Sequence, residues 1–163
     1  MQDVIRQYRC WPRLDPSLGG GALDAWADRM FEVPVTSLTP GHSDVSPQFL
    51  HGPHMGQRVE DLTRELFHAD EEERKTLIRN ITPLVAVEYD GRLIVVFGNR
   101  RLKALHDYTQ QTQRLGDPPK ARVIVHRFPF TYMDADMRLA FIAKVVLAYT
   151  HCGRPVSFRA RRR

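Results

Sequence analysis

The sequence predicts a mixed α/β domain, and two observations carry this prediction. Two β-prone runs, residues 84–89 and 92–97, flank an Asp-Gly pair, which is the pattern of a tight hairpin. Segments before and after this hairpin instead carry apolar residues at helical spacing. Because strands and helices alternate along the chain, we expect a small mixed sheet with flanking helices.

The elements before the hairpin are predicted from periodicity and from helix signals. In order they are a short helix (24–31), a strand (31–38), a loop (39–56) and two helices (58–68 and 70–80). Pro34 favours an edge position for the strand, since proline cannot donate a ladder hydrogen bond. The second long helix begins with four acids, which complement the positive end of the helix dipole.

The elements after the hairpin follow from capping residues and β-prone runs. They are a helix (99–114), a loop (116–119), a strand (121–128), an apolar helix (134–151) and a last short strand (155–161). Gly98 is predicted to end the second hairpin strand, and Asn99 to cap the helix that follows it.

Composition and charge indicate one domain with flexible ends. The 163-residue chain has 42% hydrophobic and 26% charged residues, as globular proteins do. We expect a flexible N-terminal segment (1–22), the domain (23–153) and a basic tail (154–163). The tail holds five arginines and no acid, which equals the whole net charge of +5.

The sequence also predicts an intracellular protein in a reducing compartment. The N-terminus has no apolar signal-peptide core, and the longest apolar stretch is interrupted by Lys144. The two cysteines, Cys10 and Cys152, form no CxxC pair. We therefore expect no membrane span and no disulfide framework.

The turn Gly98-Asn99-Arg100-Arg101 is the main candidate for a functional site. Cations at a helix N-terminus cost about 0.3–1 kcal/mol each, and a bound anion relieves that cost. Backbone N–H groups and guanidinium groups would then converge on a phosphate or carboxylate, which the glycine lets come close. The open alternative is structural: either arginine pairs with an acid and only holds the helix, the candidates being Glu60, Asp61 and Glu88.

Over about residues 32–127 the order of elements resembles the ParB/sulfiredoxin-like family. Residues 83–87 read P-L-V-A-V before the hairpin, and residues 98–104 read G-N-R-R-L-K-A after it. ParB proteins read G-E-R-R-x-x-A at this turn, and sulfiredoxins F-G-G-C-H-R. The resemblance implies that fold and a turn that handles nucleotide phosphates, with CTP or ATP as candidate ligands.

The resemblance also bears on activity and on further contacts. Arg100 stands at the sulfiredoxin cysteine and Asn99 at the ParB glutamate, so the chain is most similar to divergent, stand-alone members for which no activity is implied. The loop after the first strand lies near the phosphate pocket in these families. Ser43 and Ser46 are therefore predicted ligand contacts, although serines beside turns usually make local hydrogen bonds.

Two further groups of residues bear on ligands. His42, His51 and His54 stand with Asp44 in one loop, and imidazole and carboxylate groups are both zinc ligands. The loop is rich in proline and glycine and lacks cysteine, so a polar loop is favoured and no metal is expected. The tail residues predicted to contact a polyanion are Arg159, Arg161, Arg162 and Arg163.

Two functions remain open from the sequence. The first is a nucleotide- or nucleic-acid-binding ParB-like module. The second is a non-catalytic subunit of a larger assembly, for example a ribonucleoprotein, anchored by its arginine tail. The tail itself would contact nucleic acid or an acidic protein, or serve only as a solubilising end.

Overall fold

A computed structural model of the chain describes residues 30–42, 44–50, 53–116, 121–132, 135–136, 138–139, 141–143 and 157–158. These residues contain seven strands: β1 (Met30–Pro34), β2 (Leu38–Pro40), β3 (Asp44–Val45), β4 (Leu84–Tyr89), β5 (Arg92–Phe97), β6 (Arg122–Pro129) and β7 (Ser157–Phe158). They also contain three long helices: α1 (Val59–His68), α2 (Glu71–Asn80) and α3 (Asn99–Arg114). The predicted mixed α/β class is confirmed.

Five of the strands form one curled mixed sheet in the order β1-β6-β4-β5-β2. β1 runs antiparallel to β6, and β4 antiparallel to β5. The pairs β4–β6 and β5–β2 are parallel. The two outer strands are joined by one short 3-10 turn, Val35–Ser37, so the curl of the sheet brings its edges together.

The hairpin at the centre of the sheet is confirmed with its predicted bounds, since β4 and β5 cover residues 84–89 and 92–97. Asp90 and Gly91 both have positive φ, 49° and 68°. A two-residue turn with two positive φ angles matches the right-handed twist of the paired strands. The local sequence therefore sets both the turn and the register.

The single strand predicted over residues 31–38 is wrong, because the chain forms two strands on opposite edges of the sheet. Pro34 ends β1, and the Ser37 hydroxyl donates to the Pro34 carbonyl at 2.7 Å across the 3-10 turn. The predicted edge position of Pro34 is confirmed. Met30 and Phe31 belong to β1 rather than to a helix, and residues 24–29 lie outside the described part.

The predicted helices over 58–68, 70–80 and 99–114 are confirmed within a residue or two. In α2, Asp70 Oδ1 accepts a hydrogen bond from Glu73 N at 2.9 Å, so the predicted acidic start is also a cap. Of the predicted helix over 134–151, residues 135–136, 138–139 and 141–143 are described and helical. Of the strand predicted over 155–161, Ser157–Phe158 is described.

The main core lies between one face of the sheet and helices α1 and α3. Its fully buried residues include Leu62 and Leu66 of α1, Leu102 and Leu105 of α3, and Leu84 of β4. Each such side chain stabilises the fold by about 1.5–3 kcal/mol relative to exposure. This packing fixes the direction of α3, and hence the position of its first turn against β5.

Other aromatic residues pack beyond this core. Phe141 is fully buried and contacts the rings of Tyr89 and Phe130, with centroids 5.5 and 5.6 Å away. Among the described residues, no helix has both the length and the apolar character needed to cross a membrane.

Candidate functional site

Helix α3 begins directly after β5, and Gly98 makes the turn between them. Gly98 has φ 89° and ψ 19°, a left-handed conformation. A Cβ atom there would lie 2.4 Å from Leu84 Cδ2, so this position requires glycine for both reasons. The prediction that Arg100 and Arg101 begin a helix after a hairpin strand, with Gly98 in the turn, is confirmed.

The cap of α3 is Gly98, so the predicted N-cap role of Asn99 is wrong. Asn99 is the first helical residue, and its side chain is only 8% exposed. Asn99 Oδ1 accepts a hydrogen bond from Gly41 N at 3.0 Å, and Asn99 Nδ2 donates to Val95 O at 2.9 Å. A helical side chain leans toward the N-terminus, which is where these two backbone groups lie.

The loop between β2 and β3 is thereby held against the start of α3. A Cβ atom on Gly41 would lie 2.2 Å from Val95 O, so glycine is needed for this close approach. The start of the loop that follows β2 therefore lies against the first residue of α3. Asn99 acts in this arrangement by positioning the loop.

The two predicted serine contacts lie in or beside this loop. Ser46 is half-buried, and its hydroxyl accepts a hydrogen bond from Gln48 N at 3.4 Å, which is local turn chemistry. Ser43 lies outside the described residues. Both ligand contacts therefore stay predictions.

Both arginines of the turn are half-buried. Arg101 Nη1 donates to the Thr82 carbonyl at 2.5 Å, which ties the first turn of α3 to the segment before β4. The same guanidinium lies over Gly98, where its Nη2 would be 3.0 Å from an added Cβ atom. The glycine thus makes room for a cation directly beside the backbone of the turn.

The three acids considered as structural partners of these arginines each contact a different arginine. The pairs are Glu60 with Arg58 (2.9 Å), Asp61 with Arg64 (3.4 Å) and Glu88 with Arg127 (2.7 Å). Each of the three named acids is thus engaged by another arginine, while Arg100 and Arg101 have contacts of their own.

The charge at the start of α3 differs from that at the other two long helices. The first turns of α1 and α2 contain acids, whereas the first turn of α3 contains none and has two arginines. One turn further along, Lys103 pairs with Asp107 at 2.6 Å, and these side chains are 11% and 23% exposed. Lys103 of the motif therefore has an internal role.

The histidine-rich loop shows ordinary loop contacts. His54 Nδ1 lies 3.1 Å from Gln57 Oε1, and its ring packs against Phe49 with centroids 5.2 Å apart. His51 lies outside the described residues. In the part of the chain that the structure describes, no three histidine, cysteine or acidic side chains are grouped to hold a metal ion.

Two features of α3 were not expected from the sequence. A cavity of about 550 Å³ opens between α1 and α3, lined by residues that include Glu60, Arg64, Phe67, Asp107, Gln110 and Arg114. Also on α3, His106 Nε2 lies 3.1 Å from the Val35 carbonyl. Burial lowers the pKa of His106, against the opposing effects of the Val35 carbonyl and of Asp107. Both features depend on contacts between segments that are distant in the sequence, for which the local sequence carries no signal.

The arginines of the predicted tail, Arg159, Arg161, Arg162 and Arg163, lie outside the described residues. The strand just before them is described. β7 pairs in parallel with β3, with Ser157 beside Asp44 and Phe158 beside Val45. The beginning of the predicted tail segment is thus paired with the loop region that also contacts the start of α3.

Comparisons with known proteins leave the family open. No protein-family model matches this sequence, and no curated protein is significantly similar to it. The resemblance to the ParB/sulfiredoxin-like family accordingly rests on the order of the elements and on the motif at residues 98–104.

Proposed function

We propose that this protein is a nucleotide- or nucleic-acid-binding module of the ParB/sulfiredoxin-like type, with an anion site at the start of α3. The observation that carries the proposal is the first turn itself. A glycine-capped helix begins with two adjacent arginines and no acid, and one guanidinium lies over the glycine. Like charges at the positive end of a helix are unfavourable without an anion to offset them.

The chemistry of the turn fits a phosphate group. A glycine cap has no side-chain oxygen to offer the N–H groups of Asn99, Arg100 and Arg101, which precede the first intrahelical hydrogen bond. These groups and the guanidinium groups are donors that suit phosphate oxygens. The hydrogen bond from Arg101 Nη1 to Thr82 O holds that guanidinium beside the turn.

In this proposal the residues of the motif have different roles. Arg100, Arg101 and the backbone at Gly98 bind the phosphate, while Asn99 holds the neighbouring loop in place. Ser43 and Ser46 are further candidate contacts from that loop. CTP and ATP are candidate ligands, and binding of either does not require that the protein hydrolyse it.

One observation favours the second candidate, a structural subunit of a larger assembly anchored by its arginine tail. Asn99 and Arg101 both make hydrogen bonds inside the protein, to Gly41, Val95 and Thr82. Such internal hydrogen bonds stabilise the fold whether or not the protein binds a phosphate. Binding measurements separate the two candidates, because the structural role needs no phosphate ligand.

Isothermal titration calorimetry with CTP, ATP, GTP and pyrophosphate tests the proposal. We expect saturable binding that Arg101→Gln weakens by about 10-fold or more, since a charged hydrogen bond contributes about 1.5–3 kcal/mol. Arg100→Gln serves as a second variant in case loss of the bond to Thr82 unfolds the protein. Arg79→Gln, at an exposed position of α2, is the matched control and should bind like the parent.

Absence of heat with all four ligands would leave the structural role as the better account. Equal losses in the Arg101 variant and in the Arg79 control would show instead that bulk charge, not the turn, attracts the ligand.

A further inference from the structure

We propose that the cavity between α1 and α3 is a second ligand site, which binds a small aromatic carboxylate that also carries an amide group. N-acylated aromatic amino acids belong to this class. The site is separate from the start of α3, because its lining on that helix begins at Asp107, well past the first turn. The volume of about 550 Å³ falls within the range of about 300–1,000 Å³ that is usual for small-molecule sites.

The walls of the cavity are the facing sides of two helices. α1 contributes positions 60, 63, 64, 67 and 68, and α3 contributes positions 107, 110, 111 and 114. Spacings of three and four residues place each set on one side of its helix. Thr63 is only 5% exposed, and its hydroxyl donates toward the carbonyls of Val59 and Ala104, each at 3.3 Å. Because this contact and the shared core join the two helices, the cavity exists before a ligand binds.

The charged side chains at the cavity leave one positive charge over. Of the four described lining residues that are arginine or an acid, three form ion pairs, which are Arg58–Glu60, Asp61–Arg64 and Lys103–Asp107. Arg114 makes no ion pair with any residue that the structure describes. The three pairs and Arg114 together hold four cations and three anions, a formal charge of +1, so a ligand with one negative charge complements the site.

A carboxylate suits this charge, since a guanidinium can hold its two oxygens at once. Arg114 stands in the last turn of α3, where a cation also complements the helix dipole. The charge alone therefore does not select a ligand, and the remaining lining residues decide which carboxylate fits.

Those residues offer amide groups and an aromatic surface. Gln110 and Gln111 both line the cavity, and their side chains make no hydrogen bond to the described residues. A glutamine amide donates and accepts, so it complements another amide. Phe67 is half-buried and meets the His68 ring edge-on, with centroids 5.4 Å apart and an interplanar angle of 85°. A ligand ring packs on such a pair in the same offset or edge geometry.

Three probes test each part of the proposed ligand by NMR titration of isotopically labelled protein. They are N-acetylphenylalanine, its uncharged carboxamide, and N-acetylglycine, which keeps the carboxylate and the amide but lacks the ring. The signals to follow are the side-chain amides of Gln110 and Gln111 and the backbone amides of Phe67 and Arg114. These report from both helices.

We expect these signals to shift together with N-acetylphenylalanine and to saturate at millimolar concentration, as for a site that is open to solvent. The carboxamide and N-acetylglycine should each bind about 3-fold more weakly, because each lacks one contact of the kind made at a partly exposed site.

Arg114→Gln tests the ion pair directly. This variant should bind N-acetylphenylalanine about as weakly as the parent binds the carboxamide, and its affinity for the carboxamide should be unchanged, since both changes remove the same contact. Arg79→Gln is the matched control, because Arg79 is exposed on α2 and does not line the cavity. It should keep the parent's preference for the acid over the carboxamide. Both substitutions are at exposed positions, and thermal unfolding confirms that the fold is kept.

Three results would overturn the second site. The first is the absence of saturable shifts at the cavity with millimolar N-acetylphenylalanine. The second is an Arg114→Gln variant that still prefers the acid over the carboxamide by the full factor. The third is an equal loss of affinity in Arg79→Gln, which would assign the preference to bulk charge. If the saturating shifts fall instead on Asn99, Arg100 and Arg101, the second site fails while the anion site of the proposed function stands.

Discussion

Replacing Asn99 with alanine removes two hydrogen bonds that hold the β2–β3 loop against the start of α3. The bonds join Oδ1 to Gly41 N at 3.0 Å and Nδ2 to Val95 O at 2.9 Å, and the side chain is 8% exposed. A buried polar group left without its partner costs about 1–3 kcal/mol. The two groups contact one side chain, so their costs are not fully additive, and we expect the free energy of unfolding to fall by about 2–4 kcal/mol.

A loss of this size is large against the total stability of a domain, which is about 5–15 kcal/mol. It corresponds to a fall in Tm of about 5–15 °C for a chain of this length. Urea unfolding followed by circular dichroism measures it directly, provided that the m-value is unchanged between variants.

Asn80→Ala is the matched control, since Asn80 is exposed at the end of α2. It should change the free energy of unfolding by no more than about 0.5 kcal/mol, as surface substitutions usually do. If Asn99→Ala is as stable as this control, then Asn99 does not hold the loop, and the account of the motif as a positioning device is refuted.

Two other perturbations follow from the same helix. Gly98→Ala should destabilise by about 2–4 kcal/mol through positive φ and overlap with Leu84, whereas Gly56→Ala, with φ 86° and open space, should cost only about 1 kcal/mol. If thermal unfolding shows that Gly98→Ala and Gly56→Ala destabilise the protein equally, then the predicted overlap of the added Cβ atom with Leu84 is refuted. Burial lowers the pKa of His106 from its ordinary 6.5, so the unfolded chain takes up the proton first and stability falls as the pH drops below about 6.5. His106→Gln should flatten that fall in urea unfolding between about pH 7.5 and 5.5; an unchanged slope would assign it to other groups.

The parts of the fold that the sequence predicted well are those with local causes. Asp90 and Gly91 define a two-residue turn, and that turn sets the pairing of the strands on either side. The helices over 59–68 and 99–114 follow from apolar residues at helical spacing, which any single segment displays. Gly98 was predictable from local sequence as well, because a glycine that follows a β-prone run marks a turn.

The errors arose where distant segments meet. The run 31–38 alternates enough to predict one strand, but its two ends pair with different strands, β6 and β5, so the chain turns between them. Asn99 has the residue type of a cap, yet its partner Gly41 is 58 residues away in sequence. The pairing of β3 with β7 likewise joins segments more than a hundred residues apart. Hydrophobic periodicity carries no information about such partners.

The central claim is that the start of α3 binds an anion, and an NMR titration with pyrophosphate tests it residue by residue. We predict that the backbone amide signals of Asn99, Arg100 and Arg101 shift together and saturate in the parent protein, and that Arg101→Gln reduces the shifts at each concentration. A titration in which these three signals do not move at millimolar pyrophosphate, or in which the saturating shifts fall on other helices instead, would contradict the claim.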